Sequence, residues 1–294
     1  MMTMHETRTR LALAGAFCLG LFTTFPAESR AAESPQPIAA TVGPSAPTYA
    51  DIADLADHAQ LVLRAKVKKV AVLKPEQGAA SRPGMARVYV EAVTENLLTG
   101  PAAVGEALRY LADVRLDAKG KVPKLTKQSV LLFAGHVKDR PGEIRLVAPD
   151  AQILWDPATD AMLRQVLREL YGPDAPRRVT GVQEAIHVPG TLAGEGETQI
   201  FLKTDDGEPA SITVLHHAGA PTHWGVSFSE IVATTGLPPK RDTLVWYRLA
   251  CFLPQSLPPG SNLSASDVDK AAAVNDYAKV LSDLGTCPRA RKVI

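Results

Sequence analysis

Hydrophobic positions recur along this chain with several distinct periods, and each period predicts a different element. Residues 11–25 form an uncharged apolar run of 15 residues that starts at Leu11, ends at Phe25, follows Arg8 and Arg10 and is closed by Pro26. Tyr49, Ile52, Leu55 and Ala56 fall at helical spacing and predict a short helix over 49–58. From Leu61 the period drops to two. Leu61, Leu63, Ala65 and Val67 alternate with other residues, then the phase shifts near Lys68-Lys69, as in a long bent or bulged strand over 61–73. A second alternating segment covers 86–98, with Val88, Val90 and Ala92 on one face, and Gly100-Pro101 ends it. Further strands are expected at 107–114, 129–136 and 143–147, the last two separated by the turn Asp139-Arg-Pro-Gly142.

The pattern changes near Pro149. Asp156 stands as an N-cap ahead of Pro157, and Met162, Leu163, Val166, Leu167 and Leu170 make an apolar stripe, so a helix is expected until Gly172-Pro173 stops it. Strands are expected at 198–204, 210–216 and 223–228, the first two joined by the hairpin turn Asp205-Asp-Gly207. Helices are expected at 242–253 and 266–284, the latter with Ser266 and Asp269 as an approximate capping box and Gly285 as its stop. Around Trp246 a two-residue alternation makes a strand the competing reading. Trp224, Trp246 and Tyr247 lie in apolar runs and are expected in the core. The elements together predict an α+β chain: an OB-like antiparallel β-barrel over 49–150, then an α+β domain over 151–294 with a small antiparallel sheet and terminal helices.

The first apolar run changes the picture of where the chain works. Its 15 residues fall short of the ~20 that span a membrane, and Ser29-Arg-Ala-Ala32 puts small residues where a signal peptidase cuts, after Ala31 or Ala32. Residues 1–32 are therefore expected to be a signal peptide, leaving no transmembrane segment after cleavage. Residues 33–48, rich in proline and alanine, read as a disordered linker. A periplasmic or extracellular location follows. Charge adds an exclusion: the chain has 32 Lys+Arg against 31 Asp+Glu, and removing Arg8, Arg10, Arg30, Glu6 and Glu28 with the leader leaves the two equal. Nucleic-acid binders carry a basic excess, so nucleic acid is not an expected partner. Beyond Cys18 in the leader the cysteines are Cys251 and Cys287, and an oxidising compartment predicts a disulfide between them.

Candidate chemistry is sparse. His216, His217 and His223 flank the turn Gly219-Ala-Pro221, and Glu195 and Glu197 precede them in a glycine-rich stretch. Histidines on facing strands with a carboxylate can bind zinc, so His216, His223, Glu195 and Glu197 are the metal candidates, but no motif spacing supports them and no metal or cofactor is expected. Adjacent His216 and His217 point to opposite faces of a strand, so only one can pair with His223. Gly225-Val-Ser-Phe-Ser229 nearly matches a nucleophile elbow around Ser227, yet Ser229 replaces its last glycine. Residues 192–198 lack both the P-loop Lys and a third dinucleotide-site glycine, and read as a mobile loop.

One resemblance adds to this reading. Residues 55–150 resemble the netrin/tissue-inhibitor class of secreted OB-like modules through Asp57-His-Ala-Gln-Leu-Val-Leu-Arg-Ala-Lys-Val-Lys-Lys-Val70, the break Asn96-Leu-Leu-Thr-Gly100 and Ser129-Val-Leu-Leu-Phe-Ala134, without the cysteines usual to that class. The resemblance implies a protein- or ligand-binding domain. The expected function is a non-enzymatic exported binding or accessory module with a protein or small-molecule ligand. The alternatives are a hydrolase or metal-dependent enzyme sited near 195–223 and a structural component of envelope assembly.

Overall fold

In the computed structural model, which describes residues 46–74, 82–229 and 237–294, the first element is α1 (Tyr49–His58). The Thr48 hydroxyl accepts the Asp51 N–H at 3.1 Å and the Asp51 carboxylate accepts the Thr48 N–H at 2.9 Å, a full capping box. The signal peptide expected over 1–32 and the linker through residue 45 lie outside the described residues.

Strand β1 (Leu61–Val72) is the axis of the first sheet. It pairs antiparallel with β2 (Met85–Thr99) and with β4 (Ser129–His136). β3 (Ala107–Arg115) adds to β2, while β5 (Ile144–Leu146) and β6 (Gln152–Leu154) both add to β4. The order is β3-β2-β1-β4-β5, with β6 also on β4. The β1–β2 register slips three times, and the slip between Val67 and Lys69 lies where the sequence changes phase. Each slip adds local twist, which curls the sheet. Its two ends approach: Arg109 of β3 makes a parallel bridge with Glu143, and the Arg109 N–H donates to the Gly142 carbonyl at 2.8 Å. No closed barrel is present among the described residues, so the expected OB-like region is an antiparallel sheet whose ends are joined by this bridge, by the Asp113 N–H donating to the Pro149 carbonyl at 2.6 Å and by the Tyr110 hydroxyl donating to Gln152 at 2.7 Å.

Helix α2 (Pro157–Leu170) begins as expected, with the Asp156 carboxylate accepting the N–H groups of Ala158 and Thr159. The second sheet has the order β10-β9-β8-β7, from β7 (Val179–Pro189), β8 (Gly196–Thr204), β9 (Ser211–His216) and β10 (His223–Ser227). Strand β7 was not expected from the sequence: register slips after Val179 and after Val182 break its alternation. The stretch read as a mobile loop is a hairpin tip, and Gly196, Glu197 and Thr198 belong to β8.

Around Trp246 the helix prevails over the strand: α3 (Leu244–Ala250) starts at Thr243, whose hydroxyl accepts the Trp246 N–H at 3.3 Å. Helix α4 (Asp267–Leu284) is capped by Ser266, and Gly285 adopts φ +68° at its end. Cys251 and Cys287 form the expected disulfide, with Cα atoms 5.2 Å apart. An 18-residue helix is about 27 Å long, so the chain after Cys251 must first travel to the far end of α4. It does so through a run of bends and a turn at Pro258–Ser261 that docks beside β7, where the Ala185 N–H donates to the Ser261 carbonyl at 2.8 Å and the Leu263 N–H donates to the Ala185 carbonyl at 2.9 Å. Trp224, Trp246 and Tyr247 are fully buried in one continuous apolar core that includes side chains of both sheets, so they form no exposed aromatic patch. Among the described residues no helix is long and apolar enough to cross a membrane.

Charge is buried along α1. Asp51, Asp54 and Asp57 recur every three residues on one face, and the helix turns them toward α3, the segment before β7 and the C-terminal tail. Asp57 takes a two-pronged bond from Arg248 at 2.6 and 2.9 Å and a third contact from Arg178 at 2.8 Å. Asp54 accepts the Tyr247 hydroxyl at 3.1 Å and the Ile294 N–H at 3.2 Å, and Asp51 accepts the N–H groups of Ala290 and Arg291.

Candidate functional site

Strand alternation gives the second sheet two faces of different character. The register aligns His187 with Thr198, Thr198 with Val214, and Val214 with Trp224, so these side chains share the inner face with Ile200, Ile212 and His216. The inner face packs on α4, which presents Ala273, Asp276, Tyr277 and Val280 as its buried stripe. Asp276 is the polar member of that stripe, and the sheet answers it with three polar groups.

The Thr198 hydroxyl donates to Asp276 Oδ2, and His216 Nε2 lies 2.7 Å from Asp276 Oδ1. A hydroxyl has one proton, so Thr198, having donated it, must accept from His187 Nδ1 at 2.7 Å. His216 donates its Nε2 proton to the carboxylate, which leaves Nδ1 to accept from the Thr222 hydroxyl at 3.3 Å. The two imidazole rings meet edge to face, 6.2 Å apart. Gly196 packs closely beside them: a Cβ there would lie 3.0 Å from the His187 ring and press on it. The carboxylate therefore fixes the tautomers of two histidines and ties α4 to β7, β8 and β9.

The outer face carries different chemistry. Val188, Glu197, Leu215 and His223 align across the strands as one row, and Ile186, Gln199 and Thr213 form the next. Over them lies a trough of about 670 Å³ lined by Ile186, Val188, Phe201, Leu215, Glu195 and Glu197, with His216 and His217 also on its border. The trough is aliphatic and aromatic at its floor and acidic at its rim. The β7–β8 hairpin tip that carries Glu195 is tightly folded, since a Cβ on Gly190 would fall 2.5 Å from the Glu195 Cβ. Glu197 accepts the Gln199 side-chain amide, and among the described residues neither Glu195 nor Glu197 has a basic side chain within ion-pair distance.

Of the four metal candidates, His216, Glu195 and Glu197 border the same trough and His223 does not. His223 lies opposite Leu215 on the outer face, while His216 turns inward to Asp276. Glu195 and Glu197 line the trough, and Leu215 stands between Glu197 and His223. Among the described residues no group of three or more His, Cys, Asp or Glu side chains is placed to hold a metal ion. Ser227 ends β10 with its hydroxyl 3.0 Å from that of Ser229. Sequence reasoning missed His187, Thr198 and Asp276. One signal was available: Asp276 sits at helical spacing between Ala273 and Val280, an acidic residue within an apolar stripe.

Compared with models of known protein families and with curated protein sequences, the chain matches none.

Proposed function

We propose that this chain is an exported binding or accessory protein of the periplasm or extracellular space, and that it binds its partner through the outer face of the second sheet. The observation that carries this reading is the trough itself. Val188 is 60% exposed, and Ile186, Phe201 and Leu215 continue the apolar surface inward. Contiguous exposed apolar side chains with a polar rim are the usual mark of an interaction surface. The disulfide supports the oxidising location. The strand order of the first sheet and the approach of β3 to β5 support an OB-like relationship, hence a binding role, for that part of the chain.

The test is affinity capture of the full chain from its native envelope extract after mild crosslinking, run beside Val188→Lys. A stoichiometric partner recovered with the wild-type chain and lost with Val188→Lys is the expected result. The same partner recovered at the same yield by both chains overturns the assignment of the surface, and recovery of the protein alone overturns the binding role.

A second reading, hydrolysis, has one observation in its favour. Thr222, His216 and Asp276 are linked in series as hydroxyl, imidazole and carboxylate, the connectivity by which a base activates a nucleophile. On that reading His216→Ala abolishes turnover of nitrophenyl esters. Equal turnover by wild type and His216→Ala removes it.

A further inference from the structure

The outer-face trough has a charge pattern that narrows its ligand, and this inference rests on the binding role proposed above. Along the row Val188, Glu197, Leu215, a carboxylate stands between two aliphatic side chains. Glu197 and Glu195 are both partly buried, yet among the described residues neither meets a basic side chain, and Glu197 accepts the neutral amide of Gln199. Partly desolvated carboxylates without a counter-charge are stabilised by an incoming cation more than fully solvated ones, because the local dielectric is lower. The cation must also tolerate the aliphatic floor. Arginine and lysine side chains suit both demands, since their methylene stems lie on apolar surface while their charged heads reach a carboxylate.

The openness of the surface decides between a small molecule and a polymer. A drug-sized ligand is held where most of its surface is enclosed. Here Val188 and His217 are exposed, and no wall among the described residues closes over them. A trough crossing β7, β8 and β9 that leaves its ligand half in solvent suits a segment of another chain. We infer that it takes a peptide segment of a partner protein in which a basic side chain lies between apolar ones, the basic group pairing with Glu195 and Glu197 and the apolar groups lying on Val188, Ile186, Phe201 and Leu215.

Fluorescence anisotropy tests this with two labelled octapeptides, one alternating leucine with arginine and the other alternating leucine with glutamine. The full wild-type chain is expected to bind the arginine peptide at least tenfold more tightly than the glutamine peptide. Glu195→Gln/Glu197→Gln should erase that preference while leaving the glutamine peptide unchanged, and Val188→Gln should weaken both peptides. Equal binding of the two peptides, still sensitive to Val188→Gln, overturns the cationic ligand and leaves the surface standing. An arginine preference that survives the double substitution is general electrostatic attraction and also overturns it. Failure of both peptides to bind, with a captured partner still lost in Val188→Lys, overturns the ligand class alone; failure of both with no partner captured removes the binding role as well.

Discussion

Replacing Arg248 with methionine is expected to lower the unfolding free energy by about 3–5 kcal/mol, read from urea titration, because it strands a buried carboxylate. Arg248 is 3% exposed and Asp57 5% exposed in their side chains, and Arg248 supplies two of the three strong contacts that Asp57 receives. Asp57→Asn should cost a comparable amount, since it leaves the guanidinium without its counter-ion. The double variant should recover part of the loss, because neither charge is then left alone. Burial by itself would raise the Asp57 pKa. Hydrogen bonds and charge from Arg248, and then from Arg178, outweigh it and hold the carboxyl below its ordinary value. The sign of the pH dependence follows. The stability that the lowered pKa contributes is present above about pH 4, the unfolded carboxylate value, and is lost as pH falls through the lower folded value. The gap between wild type and Asp57→Asn should therefore narrow in acid below pH 4. A gap that is constant from pH 7 to pH 2 would show that the charge of Asp57 contributes nothing.

Removing the disulfide has the second large effect. With Cys251 and Cys287 separated by 36 positions, Cys251→Ser/Cys287→Ser is expected to cost about 4 kcal/mol through the greater freedom of the unfolded chain. The loss should concentrate near the tail. Amide hydrogens of Ala290, Arg291 and Ile294, which bond to Asp51 and Asp54, should exchange faster in the variant while those of β1 and β4 change with global stability alone. Uniform acceleration across the chain would mean that the bridge does not secure the tail in particular.

Much of the fold was legible in the sequence where one face of an element meets the core and the other meets water. The helix after Asp156 and the strand at 61–73 repeat their apolar residues with undisturbed or singly broken period and lie where the pattern puts them, while β4, buried on both faces from Val130 to Ala134, was legible as a short unbroken apolar run. Strand β7 was hidden because two register slips scramble its alternation, and β6 because three residues carry no period. The inner polar cluster was illegible for a different reason. His187, Thr198, His216 and Asp276 come from four elements separated by as many as 89 positions, and only the sheet register and the packing of α4 bring them together. The trough was half legible: Glu195, Glu197 and the histidines drew notice, while the apolar floor of Ile186 and Val188 lay on the unrecognised strand.

The contacts between α1 and the tail also bear on the order in which the chain can assemble. Asp51 and Ala290 are 239 positions apart, and Asp54 and Ile294 are 240 apart. Helix α1 is made early and its apolar side can collapse against neighbouring elements at once. Its carboxylates cannot be fully satisfied until residues 290–294 reach them, and an unsatisfied buried carboxylate opposes closure of the core around it. A chain that packs its N-terminal elements first is thereby held short of its final packing until that distant segment docks. The early helix acts as a checkpoint that only the docked segment clears.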